Sequence, residues 1–211
     1  MRKIFLLTLL FTVSSFALTL NQVRADLKNA SVSGDSVEMK IRTTVNTVSG
    51  KQVVSVYVVQ KSKSKMYTEI KTSFMNQRTV VNENRMKVID LNTNKVQLLP
   101  YNGEALEALS YTRFNPLDSG DWKEPKFVSE NLYSIEGPKG TLYYDAKKKR
   151  IEKMESDDEK KSVLTTFAYD GEGKFKSMNV VVNANGVETS VFTEILLLRS
   201  SVKFPDRLFE F

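Results

Sequence analysis

Residues 37–46 read VEMKIRTTVN, and apolar and polar side chains alternate along this stretch. Val37, Met39, Ile41 and Val45 would lie on one side, with polar side chains between them. Successive side chains of a β-strand point to opposite faces, so a period of two predicts a strand with one buried face. This stretch therefore predicts a β-sheet that packs one of its faces against a core.

The pattern continues after a turn at Ser49-Gly50. Residues 52–60 predict a second strand that is apolar on both faces, since Val58 and its neighbour Val59 would point to opposite sides. Strands that are buried on both faces carry near-continuous apolar runs, so we expect another element to cover the far side. Residues 66–72 alternate again and predict the third strand.

Short strands separated by turn residues continue almost to the C-terminus. Asparagine, glycine and proline cluster between them, as is typical of close turns. A series of about eleven such strands favours an antiparallel sheet that curls into a barrel or an unclosed barrel, and the fold class is expected to be mainly β. The further strands are predicted at 78–81, 85–91, 95–99, 127–136, 141–144, 150–155, 162–169, 175–182 and 188–199.

Two segments do not follow the strand pattern. In residues 18–30, Leu20, Val23 and Leu27 recur at intervals of three and four, which predicts a short amphipathic N-terminal helix. Residues 101–126 interrupt the strands, and residues 104–109 can form a short helix. Within this stretch, residues 101–117 are a candidate lid over the sheet. The predicted lid residues are Leu106, Leu109 and Phe114.

Residues 1–17 predict a cleavable secretory signal peptide. Two basic residues precede an uncharged apolar run, and Ser15 and Ala17 supply the small residues that precede a cut after Ala17. The run is too short to span a bilayer, which takes about 20 residues. Because the chain has no cysteine to carry a lipid, we expect an exported, soluble, non-lipidated protein of the periplasm with one domain over residues 18–211.

Composition argues against several functions. The chain contains no histidine and no cysteine, which removes Ser-His-Asp triads, cysteine nucleophiles and the usual zinc sites. We expect neither an enzyme nor a metal or cofactor. The net charge of +6 is mild, and its basic clusters are followed closely by acidic ones, which favours a solvated sheet surface over nucleic-acid binding. A transient contact with anionic membrane surfaces stays open.

Short motifs, taken in chain order, resemble those of one known family. They are Val56-Tyr57-Val58-Val59 before a basic loop, Met66-Tyr67-Thr68-Glu69-Ile70, residues 94–100 (NKVQLLP), Asp121-Trp122 and a closing Phe209-Glu210-Phe211. Together they resemble the LolA family of periplasmic outer-membrane lipoprotein carriers over most of residues 18–211. The loop 61–65 lacks the family's proline and arginine, and Tyr67 lies near the position of an arginine that helps to fasten the carrier's lid.

The resemblance implies an unclosed antiparallel barrel covered by short helices, with an apolar cavity that holds acyl chains. It also implies an acylated lipoprotein or lipid as cargo, an inner-membrane exporter and an outer-membrane acceptor as partners, and a monomeric carrier. Together with the period-two register, it predicts that the cavity is lined by Met39, Ile41, Val56, Val58, Ile70, Met86 and Val88.

Three other functions remain open at this point. The first is an envelope protein of the same fold that binds or senses other lipids without lipoprotein transfer. The second is a structural β-protein with a filled core, and an enzyme comes last. The cavity separates the binding proteins from the structural one, and the chemistry of the bound cargo separates the carrier from the sensor.

Overall fold

The computed structural model describes residues 18–30, 36–103, 116–118, 120–158 and 160–211. The predicted signal peptide, residues 1–17, lies outside the described residues. The helix α1 spans Leu20–Ala30, and Pro116–Asp118 and Asp206–Phe209 form 3-10 turns. The strands of the described residues are β1 (Val37–Thr47), β2 (Gly50–Ser62), β3 (Lys65–Lys71), β4 (Asn76–Asn82), β5 (Arg85–Asp90), β6 (Val96–Pro100), β7 (Lys126–Ser129), β8 (Leu132–Gly137), β9 (Gly140–Asp145), β10 (Arg150–Asp158), β11 (Lys161–Tyr169), β12 (Phe175–Ala184) and β13 (Val187–Ser200).

These thirteen strands form one antiparallel sheet in the order β6-β5-β4-β3-β2-β1-β13-β12-β11-β10-β9-β8-β7. Strands that are consecutive in the chain are antiparallel neighbours, except β6 and β7, which lie at opposite edges of the sheet. Strand β1 pairs with both β2 and β13 and so joins the two halves of the chain. Strands β6 and β7 are the two edges, and the described sheet does not close into a barrel. The predicted fold class, mainly β with an unclosed antiparallel sheet and an N-terminal helix, is confirmed.

The strand count is thirteen in the described residues, whereas the sequence predicts about eleven. Part of the difference lies in residues 127–136, predicted as one strand but folded as β7 and β8. The turn between them contains Glu130, which has a left-handed backbone with φ of 39°. Asparagine or glycine is usual at such a position, so the sequence, with glutamate there, does not indicate a hairpin.

The apolar and polar faces of the sheet continue from β1 into β13. On one face, the hydroxyl oxygens of Thr43 and Thr193 lie 3.1 Å apart. On the other, Nε of Arg42 donates to Oε1 of Glu194 at 2.7 Å. The alternation read from residues 37–46 therefore extends into β13, where Ile195 and Val191 share the apolar face of Ile41 and Val45.

Helix α1 packs on this apolar face near one edge of the sheet. Leu20 and Val23 are buried against β9 and β10, where Tyr144 is also buried. The Tyr144 hydroxyl donates to Oδ2 of Asp26 on the helix at 2.8 Å. Thr19 caps the helix, because its Oγ1 accepts from the backbone N–H of Gln22 and the Gln22 side chain accepts from the backbone N–H of Thr19.

The C-terminal segment covers part of the opposite face. Its 3-10 turn contacts β3 and β4, and Phe209 is fully buried together with Val59 and Val80. Asp206 of the same turn forms ion pairs with Lys61 at 2.8 Å and Lys65 at 3.1 Å. This segment is the second cover that the two apolar faces of residues 52–60 predict.

Trp122, the single tryptophan of the chain, packs over Gly137 at the end of β8. A Cβ added at Gly137 would lie 2.6 Å from Cδ2 of Trp122, which is closer than unstrained contacts allow. The absence of a side chain at Gly137 is therefore a packing requirement of the core beneath α1.

We predict that Gly137→Ala lowers the free energy of unfolding by about 1–3 kcal/mol, the usual cost of overpacking. Urea denaturation followed by circular dichroism measures the effect. Gly171→Ala is the matched control, because a Cβ at Gly171 meets no atom within 4 Å. Equal stability of the two variants would contradict the predicted role of the Trp122 contact.

Candidate functional site

The seven predicted cavity residues lie on the apolar face. Met39 and Ile41 of β1 stand opposite Val58 and Val56 of β2. The same face continues through Ile70, which pairs with Val56. Further along it come Met86 and Val88 of β5, which stand opposite Val81 and Thr79 of β4.

Most of these side chains pack closely against one another. Met39, Ile41, Val56 and Val58 are buried together with Met66 and Val81, and Ile70 and Met86 pack against them from the sides. We call this group the strand cluster. Val88 is half-buried on the same face. In this conformation the predicted residues contact each other, and their role as ligands of cargo stays a prediction.

A second cluster, which we call the helix cluster, lies beneath α1 at the other end of the apolar face. It contains Leu20 and Val23 of the helix, Leu117 and Trp122, and the strand residues Ile135, Leu142, Tyr144 and Ile151. Met154 and Phe167 pack against its border. The apolar face is therefore closely packed at two places.

Between the two clusters the apolar face is only partly covered. Val180 of β12 stands opposite Val191 of β13, and Val191 also stands opposite Val45 of β1. Val163 of β11 stands opposite Val182. All five valines are half-buried, and none is a member of either cluster. We call them the central strip.

The central strip carries no charge along β12 and β13, whereas on β11 Lys161 lies two residues from Val163 at the end of the strand. The inward positions of β12 are Met178, Val180 and Val182, and those of β13 are Thr189, Val191 and Thr193. Branched apolar side chains that are partly accessible suit contact with hydrocarbon. The strip is thus a surface that a lipid chain could cover.

Thr68 adds one polar atom to the strand cluster. The residue is 3% exposed, and its Oγ1 has no hydrogen-bond partner in the described part of the chain. An unpaired buried hydroxyl costs free energy. A polar group of a bound molecule could satisfy it.

The opposite face carries a polar network at the same strands. The Tyr57 hydroxyl donates to Glu38 at 2.8 Å, the Tyr67 hydroxyl donates to Glu69, and Arg78 donates to the same Glu69 carboxylate at 2.8 Å. Burial, with these hydrogen bonds to carboxylates, raises the pKa of Tyr57 and of Tyr67 to about 12. Tyr67 therefore belongs to a polar network on the side of the sheet away from the apolar face.

The described residues include two concave sites. One, of about 470 Å³, lies beside α1 and is lined in part by Gln22, Asp26 and Tyr133. The other, of about 260 Å³, is a polar hollow between the tips of the β10–β11 and β12–β13 hairpins. Neither is lined by the predicted cavity residues.

The predicted lid residues Leu106, Leu109 and Phe114 lie outside the described residues, so the lid stays a prediction. On either side of them, Tyr101 packs against the strand cluster and Leu117 is buried in the helix cluster. Among described residues, no group of three or more acidic, histidine or cysteine side chains is placed to hold a metal ion. No described helix is long and apolar enough to span a membrane.

Sequence reasoning missed the central strip and the isolated hydroxyl of Thr68. The period-two signal of the strip is weaker than that of residues 37–46, because Val180 and Val182 alternate with polar neighbours only in part. Val181 is equally apolar and hides the alternation. The residues next to Thr68 in the sequence do not reveal that its hydroxyl lacks a partner, because its possible partners lie on adjoining strands.

The fold and site define an open, single-sheet β-protein with one continuous apolar face. No family model matches the sequence, and no curated protein matches it significantly. The solved structures that are similar include three that match over most of their length and of this chain. A domain described as an outer membrane lipoprotein-sorting protein, from Vibrio parahaemolyticus, is 8% identical, covers 89% of this chain and 94% of its own, and has a TM-score of 0.49.

A DUF1329 family protein from Desulfovibrio piger is 11% identical, with 89% of this chain and 94% of its own covered and a TM-score of 0.48. A LolA superfamily protein from Nitrosomonas europaea is also 11% identical, with 92% and 98% covered and a TM-score of 0.45. The first and third of these structures are described as a lipoprotein-sorting domain and a LolA superfamily protein, and the motifs of this sequence resemble the same family. Likeness at TM-scores below 0.5 does not assign a function, which has to be inferred from the chain's own geometry.

The two buried threonines of the apolar face make a matched pair. We predict that Thr68→Val leaves the free energy of unfolding unchanged or raises it, because the variant removes an unpaired hydroxyl. Thr193→Val should lower it by about 1 kcal/mol, because it breaks the hydrogen bond to Thr43. Urea denaturation of both variants tests this, and a clear loss of stability in Thr68→Val would show that its hydroxyl is paired in solution.

Proposed function

We propose that this protein is a periplasmic carrier that binds the acyl chains of lipoproteins on its apolar face and shuttles them from the inner to the outer membrane. The observation that supports this most is the central strip, which is apolar, partly accessible and free of charge along β12 and β13. An acyl chain needs such a surface, because each CH₂ group left in water costs about 0.8 kcal/mol.

The dimensions of the strip suit a lipid chain. Its valines lie on β1, β13, β12 and β11, which are neighbours in the sheet. Four strands at a spacing of about 4.8 Å give a width of about 14 Å. A chain lying across them would contact the helix cluster at one end and the strand cluster at the other.

The strand cluster would supply the second part of the site. Met39, Ile41, Val56, Val58, Ile70, Met86 and Val88 would contact cargo once a chain displaces Tyr101, which packs against the strand cluster. Methionine side chains adapt readily to a new neighbour, and Met39 and Met86 both belong here. Thr68 would donate its hydroxyl to the polar linkage at the end of the acyl chain.

A second candidate is an envelope protein of the same fold that binds or senses other lipids. The close packing of the strand cluster favours this alternative, because the surface that is accessible without rearrangement is limited to the central strip. A single-chain lipid needs less apolar surface than a lipoprotein with several acyl chains.

Material that co-purifies with the protein from the periplasm distinguishes the two candidates. Acylated peptides detected by mass spectrometry of an organic extract would support lipoprotein transport. Free fatty acids or phospholipids without peptide would favour the lipid-binding alternative. An extract without any lipid, from protein purified in the absence of detergent, would count against both.

We predict that Val180→Asn weakens binding of a fluorescent fatty-acid probe about tenfold, since the loss of one valine contact of about 1.5 kcal/mol has that effect. The matched control is Val181→Asn. Val181 is the next residue of the same strand, is also half-buried and faces the other side of the sheet. Fluorescence titration gives both affinities, and circular dichroism checks that both variants fold. Equal affinities would place the lipid away from the central strip.

A further inference from the structure

Strand β2 has an unpaired stretch of backbone inside the sheet. Its pairing with β1 continues to the turn, where Thr47 stands opposite Gly50. Its pairing with β3 stops earlier, where Lys71 stands opposite Ser55. Among the described residues no strand adjoins Gly50–Val54 on that side. Over these five residues, or about 17 Å of extended chain, the backbone groups of alternate residues that point away from β1 therefore have no strand partner.

The turn that follows β3 begins where this opening begins, since Lys71 is the last residue of β3 that pairs with β2. Thr72 holds the turn, since its Oγ1 accepts from the backbone N–H of Met75 at 2.9 Å and its own N–H donates to the Met75 carbonyl at 2.7 Å. The turn presents Phe74, which is 73% exposed. We call the free edge of Gly50–Val54, with Phe74 beside it, the notch.

The notch has two further properties that define what it can bind. Lys51 and Lys71 lie at its two ends, both are exposed, and neither has an ion-pair partner among the described residues. Val54, at the inner end, packs against the strand cluster. The notch therefore combines a free strand edge, an exposed aromatic ring and unneutralised positive charge, and it adjoins the apolar face.

We propose that the notch binds the peptide part of an acylated cargo as an added β-strand, with acidic side chains of the peptide near Lys51 and Lys71. A free strand edge is a template for an extended peptide, whose main-chain hydrogen bonds give affinity while its side chains give specificity. Because Val54 belongs to both surfaces, a peptide in the notch has its acylated end at the apolar face. This inference rests on the proposed function, since it assigns the polypeptide of the same cargo to its own site.

Two probes separate this inference from the proposed function: palmitic acid, and a short acidic peptide with an N-terminal palmitoyl group. We expect the palmitoylated peptide to bind at least about tenfold more tightly, because two linked contacts reinforce each other. If neither probe binds, the proposed function fails. If both bind equally, the carrier function stands and the notch is not a peptide site.

Variants of the notch test whether it supplies the added affinity of the palmitoylated peptide. Phe74→Ser and Lys71→Glu should remove the advantage of the palmitoylated peptide and leave palmitic-acid binding unchanged. Leu98→Ser is the matched control, since Leu98 is 55% exposed on the edge strand β6 and should not affect either probe. If the Leu98 variant also loses the tighter binding of the palmitoylated peptide, the notch is not its source. If both notch variants keep that tighter binding, the assignment of the notch as a peptide site is wrong.

Hydrogen exchange gives a direct readout of strand addition. The amides of Gly50–Val54 should become protected when the palmitoylated peptide binds, while those of β6, at Val96–Pro100, should not. Protection of both edges would indicate general tightening of the sheet and would contradict a specific site. Protection of the notch by anionic lipid vesicles without peptide would identify it as a membrane contact and overturn the peptide assignment.

Discussion

The pairing of β1 with both β2 and β13 is the constraint on which the rest of the structure depends. It joins the two halves of the chain into one sheet, and the contact between Thr43 and Thr193 keeps the apolar sides of both halves on the same face. A slip of one residue at this junction would reverse the faces of one half. The continuous apolar face, and any lipid site on it, therefore depends on this register.

On the apolar face, the regions that stabilise the fold differ from the region that stays accessible. The helix cluster and the strand cluster are closely packed, and the C-terminal turn adds buried Phe209 on the other side. These regions supply the apolar burial that an open sheet without disulfides requires. The central strip can then stay partly uncovered, because the fold does not depend on closing it.

The two proposed surfaces meet at the first two strands. The strand cluster lies on the apolar face of β1 and β2, and the notch occupies the free edge of β2 beyond the end of β3. Hydrocarbon is recognised by non-directional burial, whereas a peptide is recognised by directional hydrogen bonds at a strand edge. One strand can therefore offer both kinds of contact to a cargo that has both parts.

Local pattern in the sequence determined the strands, the N-terminal helix and the inward side of β1, because period-two and helical spacing are properties of neighbouring residues. The seven predicted residues accordingly share one face, although their binding role remains a prediction. Tertiary structure alone decided which of them pack closely, that Thr68 has no partner, and that β3 ends before β2 does. Those features depend on register between distant segments, such as β1 with β13, which the order of residues within any one strand does not encode.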